Sequence, residues 1–131
     1  MNKESQDKFK KKSFKRFVLS FKYCFEGMRY AFYHEQNIFV MLIAGIVALV
    51  LGILLKVSYM ESLVLVSLIG VTLAFEMINT AIEACVNLVT HEIKEDARHA
   101  KDCASAAVGI LSVFDLIVGI MIFVPKIIDL F

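Results

Sequence analysis

Three long apolar runs constrain the fold of this chain more than any other feature. Ile38 to Leu55 contains 18 uncharged residues, Ser62 to Thr90 is interrupted only by two glutamates, and Cys103 to Val124 only by one aspartate. A helix of about 20 apolar residues crosses a hydrocarbon core of roughly 30 Å, and backbone in lipid has to satisfy its hydrogen bonds internally. The pattern predicts an all-α integral membrane protein with transmembrane helices over 38–56, 62–90 and 103–125.

The basic residues are distributed unevenly along the chain. Nine of the fourteen Lys and Arg lie between Lys3 and Arg29, and the segment 91–102 carries three more, whereas the other two loop ends carry one each. The positive-inside rule therefore predicts a multi-pass protein of the cell membrane, with its N-terminus and the segment 91–102 in the cytoplasm. With no basic groove and little polar surface, the chain is not expected to bind nucleic acid.

The segment before the first span combines apolar and basic residues at helical spacing. Its apolar residues recur every three or four positions, which predicts an amphipathic surface helix over 13–34 with its basic groups toward an anion or anionic lipid. A helix that only anchors the chain to the membrane is an alternative that this segment supports equally well. Residues 1–12 are polar and lysine-rich and are expected to form a mobile tail. The whole chain, 1–131, is expected to form a single domain. The apolar positions of the predicted surface helix are Phe14, Phe17, Val18, Phe21, Phe25, Met28 and Phe32.

Small residues and cysteines suggest packing roles. Cys24, Cys85 and Cys103 form no CxxC pair, which predicts small buried residues rather than a disulfide framework or a zinc site. Gly45 and Gly52 are seven residues apart, so they share one face of the first span and allow close contact with another helix.

One polar stripe runs along the otherwise apolar second span. Glu76, Asn79, Glu83 and Asn87 fall within an arc of about 80° at 100° per residue. An acid inside a span costs roughly 2.5–3.5 kcal/mol on insertion scales, so such residues face a bundle interior or a watery cavity and indicate a functional site. The asparagines alone could equally well bond neighbouring helices together. Two carboxylates on the same stripe favour a functional site over a purely structural role.

The residues themselves point to a metal and an anion. Carboxylate oxygens suit Mg²⁺, which takes one or two protein carboxylates together with phosphate oxygens. The segment after the stripe supplies further charges for handling phosphate, and the chain has no GxxxxGK[ST] loop. The pattern therefore indicates a membrane-embedded site for a metal and an anion, compatible with phosphoryl transfer. The charged residues of that segment are Glu92, Lys94, Arg98, Lys101 and Asp102.

Two motifs carry a family resemblance. EMINTAIEACVN followed by RHAKDCASAAV resembles the small bacterial integral-membrane lipid kinases, the diacylglycerol kinase and undecaprenol kinase family. The likeness extends upstream through KRFVLSFKYCFEGMRYAFYHE and covers nearly the whole chain after residue 13. Asn87 departs from the pattern, in which an aspartate is common there, and Asp115 is not part of it.

The resemblance implies an enzyme with a composite active site. It implies a homotrimer whose subunits each have a surface helix and three transmembrane helices, with ATP as co-substrate and Mg²⁺ as cofactor. Glu76 matches the general base, and Glu35 and Glu83 match the metal-binding carboxylates. Arg16, Glu76 and Ser105 match positions near the lipid substrate. The nucleotide-binding positions are Arg16, Tyr23, Glu35, Asn79, Glu83, Glu92, Lys94, Lys101 and Asp102.

The lipid acceptor stays open at this point. The IFVPKI tail and the segment around Glu35 favour undecaprenol, and diacylglycerol, which would give phosphatidic acid, is the alternative. A non-enzymatic oligomeric membrane protein or channel would also explain acids inside a span, but not their coincidence with Glu35 and the Lys101–Asp102 pair. A family member that binds nucleotide without turnover is a third possibility. Retention of the motif residues argues against it.

Overall fold

The protein is all-helical. The computed structural model describes residues 3–89 and 94–130, with side chains from residue 14 onward. It contains the helices α1 (Lys3–His34), α2 (Gln36–Leu54), α3 (Tyr59–Val89) and α4 (Glu95–Ile128). The chain divides into two compact units, α1 and the part from Glu35 onward, which are described separately below.

Three of the helices are long and apolar enough to cross a membrane, one at each predicted span. They are α2, α3 and α4, with mean hydropathies of 2.8, 1.9 and 2.6 over their most apolar windows. Each helix extends beyond the predicted limits at one end or both. A regular helix keeps every backbone group hydrogen-bonded as the chain approaches the membrane surface.

Two boundaries differ from the prediction. α1 begins at Lys3, so the helix predicted over 13–34 continues back through the segment predicted as a tail. α4 begins at Glu95, which places Lys101 and Asp102 on a helix rather than in a loop. Glu95 and Asp96 occupy the first turn of α4, where negative charge is favourable beside the unpaired N–H groups and the positive end of the helix dipole.

α1 presents most of its apolar side chains to the surface of its own unit. Phe14, Phe17, Phe21 and Phe25 are exposed, and the rings of Phe17 and Phe21 meet edge to face at 5.1 Å. Arg29 lies 5.6 Å from the ring centre of Tyr33. Contact of this helix with a membrane surface stays a prediction.

Helix α3 packs against both α2 and α4. Gly45 of α2 permits a close approach to α3, because a side chain there would lie 3.0 Å from Cγ2 of Ile69. A side chain at Gly52, one heptad later, would lie 3.3 Å from Cγ2 of Val57 and 3.7 Å from Cδ1 of Leu65 on α3. The expected close contact at these glycines is therefore confirmed. The buried apolar residues of the three helices are Ile38, Leu65, Ala104, Val108 and Ile122.

The cysteines do not pack as predicted. Cys24, Cys85 and Cys103 are all exposed and all free thiols. Because their side chains are exposed, the prediction of small buried residues is wrong for this chain.

The start of α3 and the end of α4 are joined at one corner of the bundle. The backbone N–H of Ser58 donates to Oε2 of Glu61 at 2.6 Å, and the N–H of Glu61 donates to Oγ of Ser58 at 3.3 Å, which is a reciprocal capping box. Nζ of Lys126 then lies 3.0 Å from Oε2 of Glu61. We call these three residues the α3–α4 corner.

Candidate functional site

The first two residues of the polar stripe of α3 face the interior of the three-helix unit. Glu76 is only 1% exposed, and Asn79 is 4% exposed. Thr72 and Thr80, one turn before and one turn after Glu76, are equally buried. The stripe is therefore buried at Glu76 and Asn79, as predicted for intramembrane acids, whereas Glu83 is half-buried and Asn87 is exposed.

The carboxylate of Glu76 is enclosed without a hydrogen bond. Neither oxygen has a partner of hydrogen-bonding geometry among the described residues. The side chain of Asn37 lies beside it without reaching that geometry, and the Thr80 hydroxyl donates instead to the backbone carbonyl of Glu76, at 3.0 Å. Buried polar groups in native proteins nearly always have partners, so this carboxylate marks a place where a ligand or a proton is expected.

Two further carboxylates lie near Glu76. Glu35, immediately before α2, and Glu83, two turns along α3, both act on it electrostatically. We call Glu35, Glu76 and Glu83 the acidic cluster. Carboxylates that act on one another electrostatically favour a nearby cation or a proton, because either one reduces the repulsion between them.

Asn79 connects Glu76 and Glu83 along the stripe. Its Nδ2 donates to Oε1 of Glu83 at 3.4 Å, a long hydrogen bond, and its Oδ1 is buried without a partner. All of the available ligand atoms are therefore oxygens, which is the donor set that Mg²⁺ prefers. No group of three His, Cys, Asp or Glu close enough to hold a metal occurs within residues 3–89 and 94–130. The oxygens of these residues would supply only part of the coordination of a cation, and phosphate or water would supply the rest.

The last member of the stripe meets the first turns of α4. Nζ of Lys101 donates to Oδ1 of Asn87 at 2.7 Å. Asp102 is exposed, and its carboxylate lies 3.9 Å from Nε of Arg98. The structure therefore brings the Lys101–Asp102 pair to the end of the stripe. Ser105, one turn further along α4, is exposed.

Among the remaining predicted residues, those that the structure describes are exposed. Arg16 and Tyr23 are exposed on α1, which belongs to the other unit. Lys94 is exposed at the N-terminus of α4. Glu92 lies outside the described residues.

Sequence reasoning missed two features near this site. Asn37 was not singled out, although it follows Glu35 by two residues and α2 carries it next to Glu76. The sequence pattern assigns no role to Asp115, whereas the structure pairs it with Thr72, whose Oγ1 donates to Oδ2 of Asp115 at 2.7 Å. Asn37, Thr72, Asp115 and Ser112 are the polar residues on the wall of a mostly apolar cavity of about 420 Å³ between α2, α3 and α4.

Comparison with known proteins identifies the family. A family model for prokaryotic diacylglycerol kinases matches residues 22–123, which include the acidic cluster, the stripe and the Lys101–Asp102 pair. This chain belongs to that family. The predicted resemblance is thereby confirmed.

Individual relatives carry two kinds of name. The undecaprenol kinase of Bacillus subtilis (strain 168) is 35% identical over 111 residues, which cover 85% of this chain and 90% of that protein. The diacylglycerol kinase of Synechocystis is 31% identical over 86% of this chain and 65% of its own length. The diacylglycerol kinase of Escherichia coli K12 is 32% identical over 72% of this chain and 78% of its own. The chain is a lipid kinase of this family, and a non-enzymatic role is not supported.

Proposed function

We propose that this lipid kinase transfers the γ-phosphate of ATP to the primary hydroxyl of a membrane lipid, with Glu76 as general base. The observation that carries the proposal is the carboxylate of Glu76, which is fully enclosed and lacks a hydrogen-bond partner among the described residues. A base has to be within hydrogen-bond reach of the proton that it removes. A carboxylate without a partner inside an apolar bundle can accept a proton from a lipid hydroxyl once its surroundings move to admit the lipid.

The proposed step is an in-line displacement. The lipid hydroxyl oxygen forms a bond to the γ-phosphorus while the bond to the β,γ-bridging oxygen breaks and ADP leaves. Glu76 accepts the hydroxyl proton. Phosphoryl transfer of this type depends on positioning and charge neutralisation, with little covalent chemistry for the protein to do.

The phosphates would be held by the residues around Glu76. We propose that Lys101, Asn79 and Asp102 contact the nucleotide, with Lys101 held near the stripe by its hydrogen bond to Asn87. Arg16, Tyr23, Lys94 and Glu92 are proposed as further nucleotide contacts on the family resemblance alone. Ser105 and Arg16 are proposed near the lipid headgroup on the same basis.

Glu35 and Glu83 are the residues proposed to hold Mg²⁺. Both act electrostatically on Glu76 and offer carboxylate oxygens, and ATP would supply the other ligands. When bound, the ion would neutralise charge on the phosphates. The repulsion within the acidic cluster supports this assignment, because a cation relieves it.

Undecaprenol is the acceptor that we propose first. The undecaprenol kinase of B. subtilis covers nearly the same length as this chain and is 35% identical to it. Diacylglycerol is the alternative, supported by the relatives of that name. Both lipids offer a primary hydroxyl on a long apolar body, so the general base would act on them in the same way.

We further propose that the enzyme works as a homotrimer in the cell membrane. In this proposal the N-terminus and the active site lie on the cytoplasmic side, and α1 lies at the membrane surface. The distribution of Lys and Arg supports the orientation, and the exposed phenylalanines of α1 support its contact with lipid.

A transfer assay tests the proposed function. Purified protein in detergent or lipid would be incubated with labelled ATP and either undecaprenol or diacylglycerol, with and without Mg²⁺. We expect Mg²⁺-dependent labelling of lipid by the wild type and none by Glu76→Gln. A folded protein that binds ATP but labels neither lipid would contradict the proposal.

A further inference from the structure

Asp115 is an intramembrane acid that the proposed chemistry does not use. It is the one charged residue between Cys103 and Val124, in the most apolar part of α4. A charged or ionisable side chain at this depth is costly to insert and usually marks a functional position. Its surroundings therefore call for an explanation beyond helix packing.

The hydrogen bonding of Asp115 is incomplete. Its Oδ2 accepts the Thr72 hydroxyl at 2.7 Å, whereas Oδ1 is buried without a partner among the described residues. Ser112 lies nearby on α4, but its hydroxyl donates to the backbone carbonyl of Val108 at 3.1 Å. One of the two carboxyl oxygens thus lacks a hydrogen bond, and burying a polar atom without one costs free energy.

The Thr72–Asp115 pair lies on the wall of the 420 Å³ cavity. Cavities of about 300–1,000 Å³ with apolar walls and a few polar groups are typical of small-molecule sites. Asn37 lies on the same wall and also beside Glu76, which does not itself line the cavity. Thr72 precedes Glu76 by four residues on α3, which is about 6 Å along the helix axis.

We propose that the Thr72–Asp115 pair is a specificity site that binds a second polar group of the acceptor lipid, next to the hydroxyl that reacts at Glu76. Glycerol-based lipids carry oxygen groups on the carbons beside that hydroxyl, whereas a polyprenol carries none. The pair thus extends the acceptor range to glycerol-based lipids. Oδ1 is enclosed, so binding requires the Asp115 side chain to rotate and turn one oxygen toward the cavity. This inference rests on the proposed function.

The test compares acceptors rather than total activity. We would measure kcat/KM for dioleoylglycerol, for monooleoylglycerol and for a polyprenol, at saturating ATP in one detergent. The wild type is expected to phosphorylate all three. In Asp115→Leu, the ratio of glycerolipid to polyprenol kcat/KM should fall about tenfold or more, as for a lost hydrogen bond to a carboxyl group. Thr72→Val should move the ratio in the same direction by less.

Ser112→Ala is the matched control. Ser112 lies on the same wall, but its hydroxyl is already committed to the backbone, so this variant should leave the ratio unchanged. Asp115→Asn keeps the shape and a polar group, so it should retain more of the glycerolipid activity than Asp115→Leu. It replaces Asp115→Leu in the test if the leucine variant folds poorly. A larger loss for monooleoylglycerol than for dioleoylglycerol would identify a free hydroxyl as the bound group, and equal losses an ester group.

The outcomes separate this inference from the proposed function. Equal losses for glycerolipid and polyprenol in Asp115→Leu and Thr72→Val, or no change for either, would overturn the specificity site while leaving the kinase intact. A wild type that phosphorylates polyprenol alone would overturn it as well. No transfer to any acceptor by folded wild type would overturn the proposed function and this inference together.

Discussion

The two acidic regions of α3 differ in how completely their carboxylates are paired. At the α3–α4 corner, Glu61 accepts the Ser58 N–H and also meets Lys126 at 3.0 Å. At the acidic cluster, Glu76 is more deeply buried than Glu61 and has no hydrogen-bond partner among the described residues. A corner that only connects two helices satisfies its polar groups within the chain. A site that acts on a ligand keeps some of them available.

Changing one glutamate to glutamine in each region is the strongest test of this contrast. Glu76→Gln should lower kcat by roughly 10²–10⁴-fold, because an amide cannot accept the hydroxyl proton. Glu61→Gln removes a charge on the same helix and should leave kcat within about twofold. The measurement is lipid phosphorylation under saturating ATP and lipid, with circular dichroism to confirm that both variants are helical. Similar losses in the two variants would mean that the acids of α3 act through stability alone.

Glu83→Gln should have the second largest effect, through the metal. If Glu83 holds Mg²⁺ with Glu35, its loss should raise the Mg²⁺ concentration needed for half-maximal activity by about tenfold or more, since metal sites lose roughly that much when even a supporting contact is removed. A Mg²⁺ titration of wild type and variant measures the shift. Glu26→Gln, an exposed acid of α1 paired with Lys22 at 3.7 Å, is the control and should not shift the titration. An unchanged Mg²⁺ requirement in Glu83→Gln would remove Glu83 from the proposed ligands.

Asn87→Asp should have a smaller effect, confined to ATP binding. Asn87 holds Lys101 through a neutral amide oxygen, which leaves the charge of the ammonium group for phosphate. A carboxylate at this position would pair with it, and exposed ion pairs contribute about 0–1 kcal/mol, so KM for ATP should rise by no more than about fivefold with little change in kcat. Asn87→Ser, which adds no charge, should raise KM less. A fall in KM for ATP in Asn87→Asp would contradict the proposed role of Lys101.

Much of this fold follows from composition and periodicity, because a bilayer permits few alternatives. The three spans were predictable from their lengths, and the interior position of Glu76 from the cost of an acid in lipid. The helical state of Lys101 and Asp102 was missed, because a polar, charged segment after a span is typical of both a loop and the first turns of a helix. Gly45 was recognisable as a contact position, but its partner Ile69 was not.

The contacts between helices account for the rest of what was missed. Asn37 beside Glu76 and Thr72 beside Asp115 join residues that are 39 and 43 positions apart. The spacing within one helix gives the face on which a residue lies but not the residue that meets it from another helix. Arg16 and Tyr23 carry a role by family resemblance only, since α1 forms a unit of its own.

The smallest expected effects concern stability, and they should have opposite signs at the two regions. Lys126→Met leaves Glu61 without its ion pair, so the thermal midpoint should fall slightly, while transfer activity per folded protein stays at the wild-type level. Glu76→Leu replaces an enclosed, unpartnered carboxylate by an apolar side chain of similar size, so the midpoint should rise although activity is lost. Thermal unfolding in one detergent measures both. If Glu76→Leu were instead the less stable of the two, Glu76 would have to be a structural contact, and the contrast between a paired corner and an available site would fail.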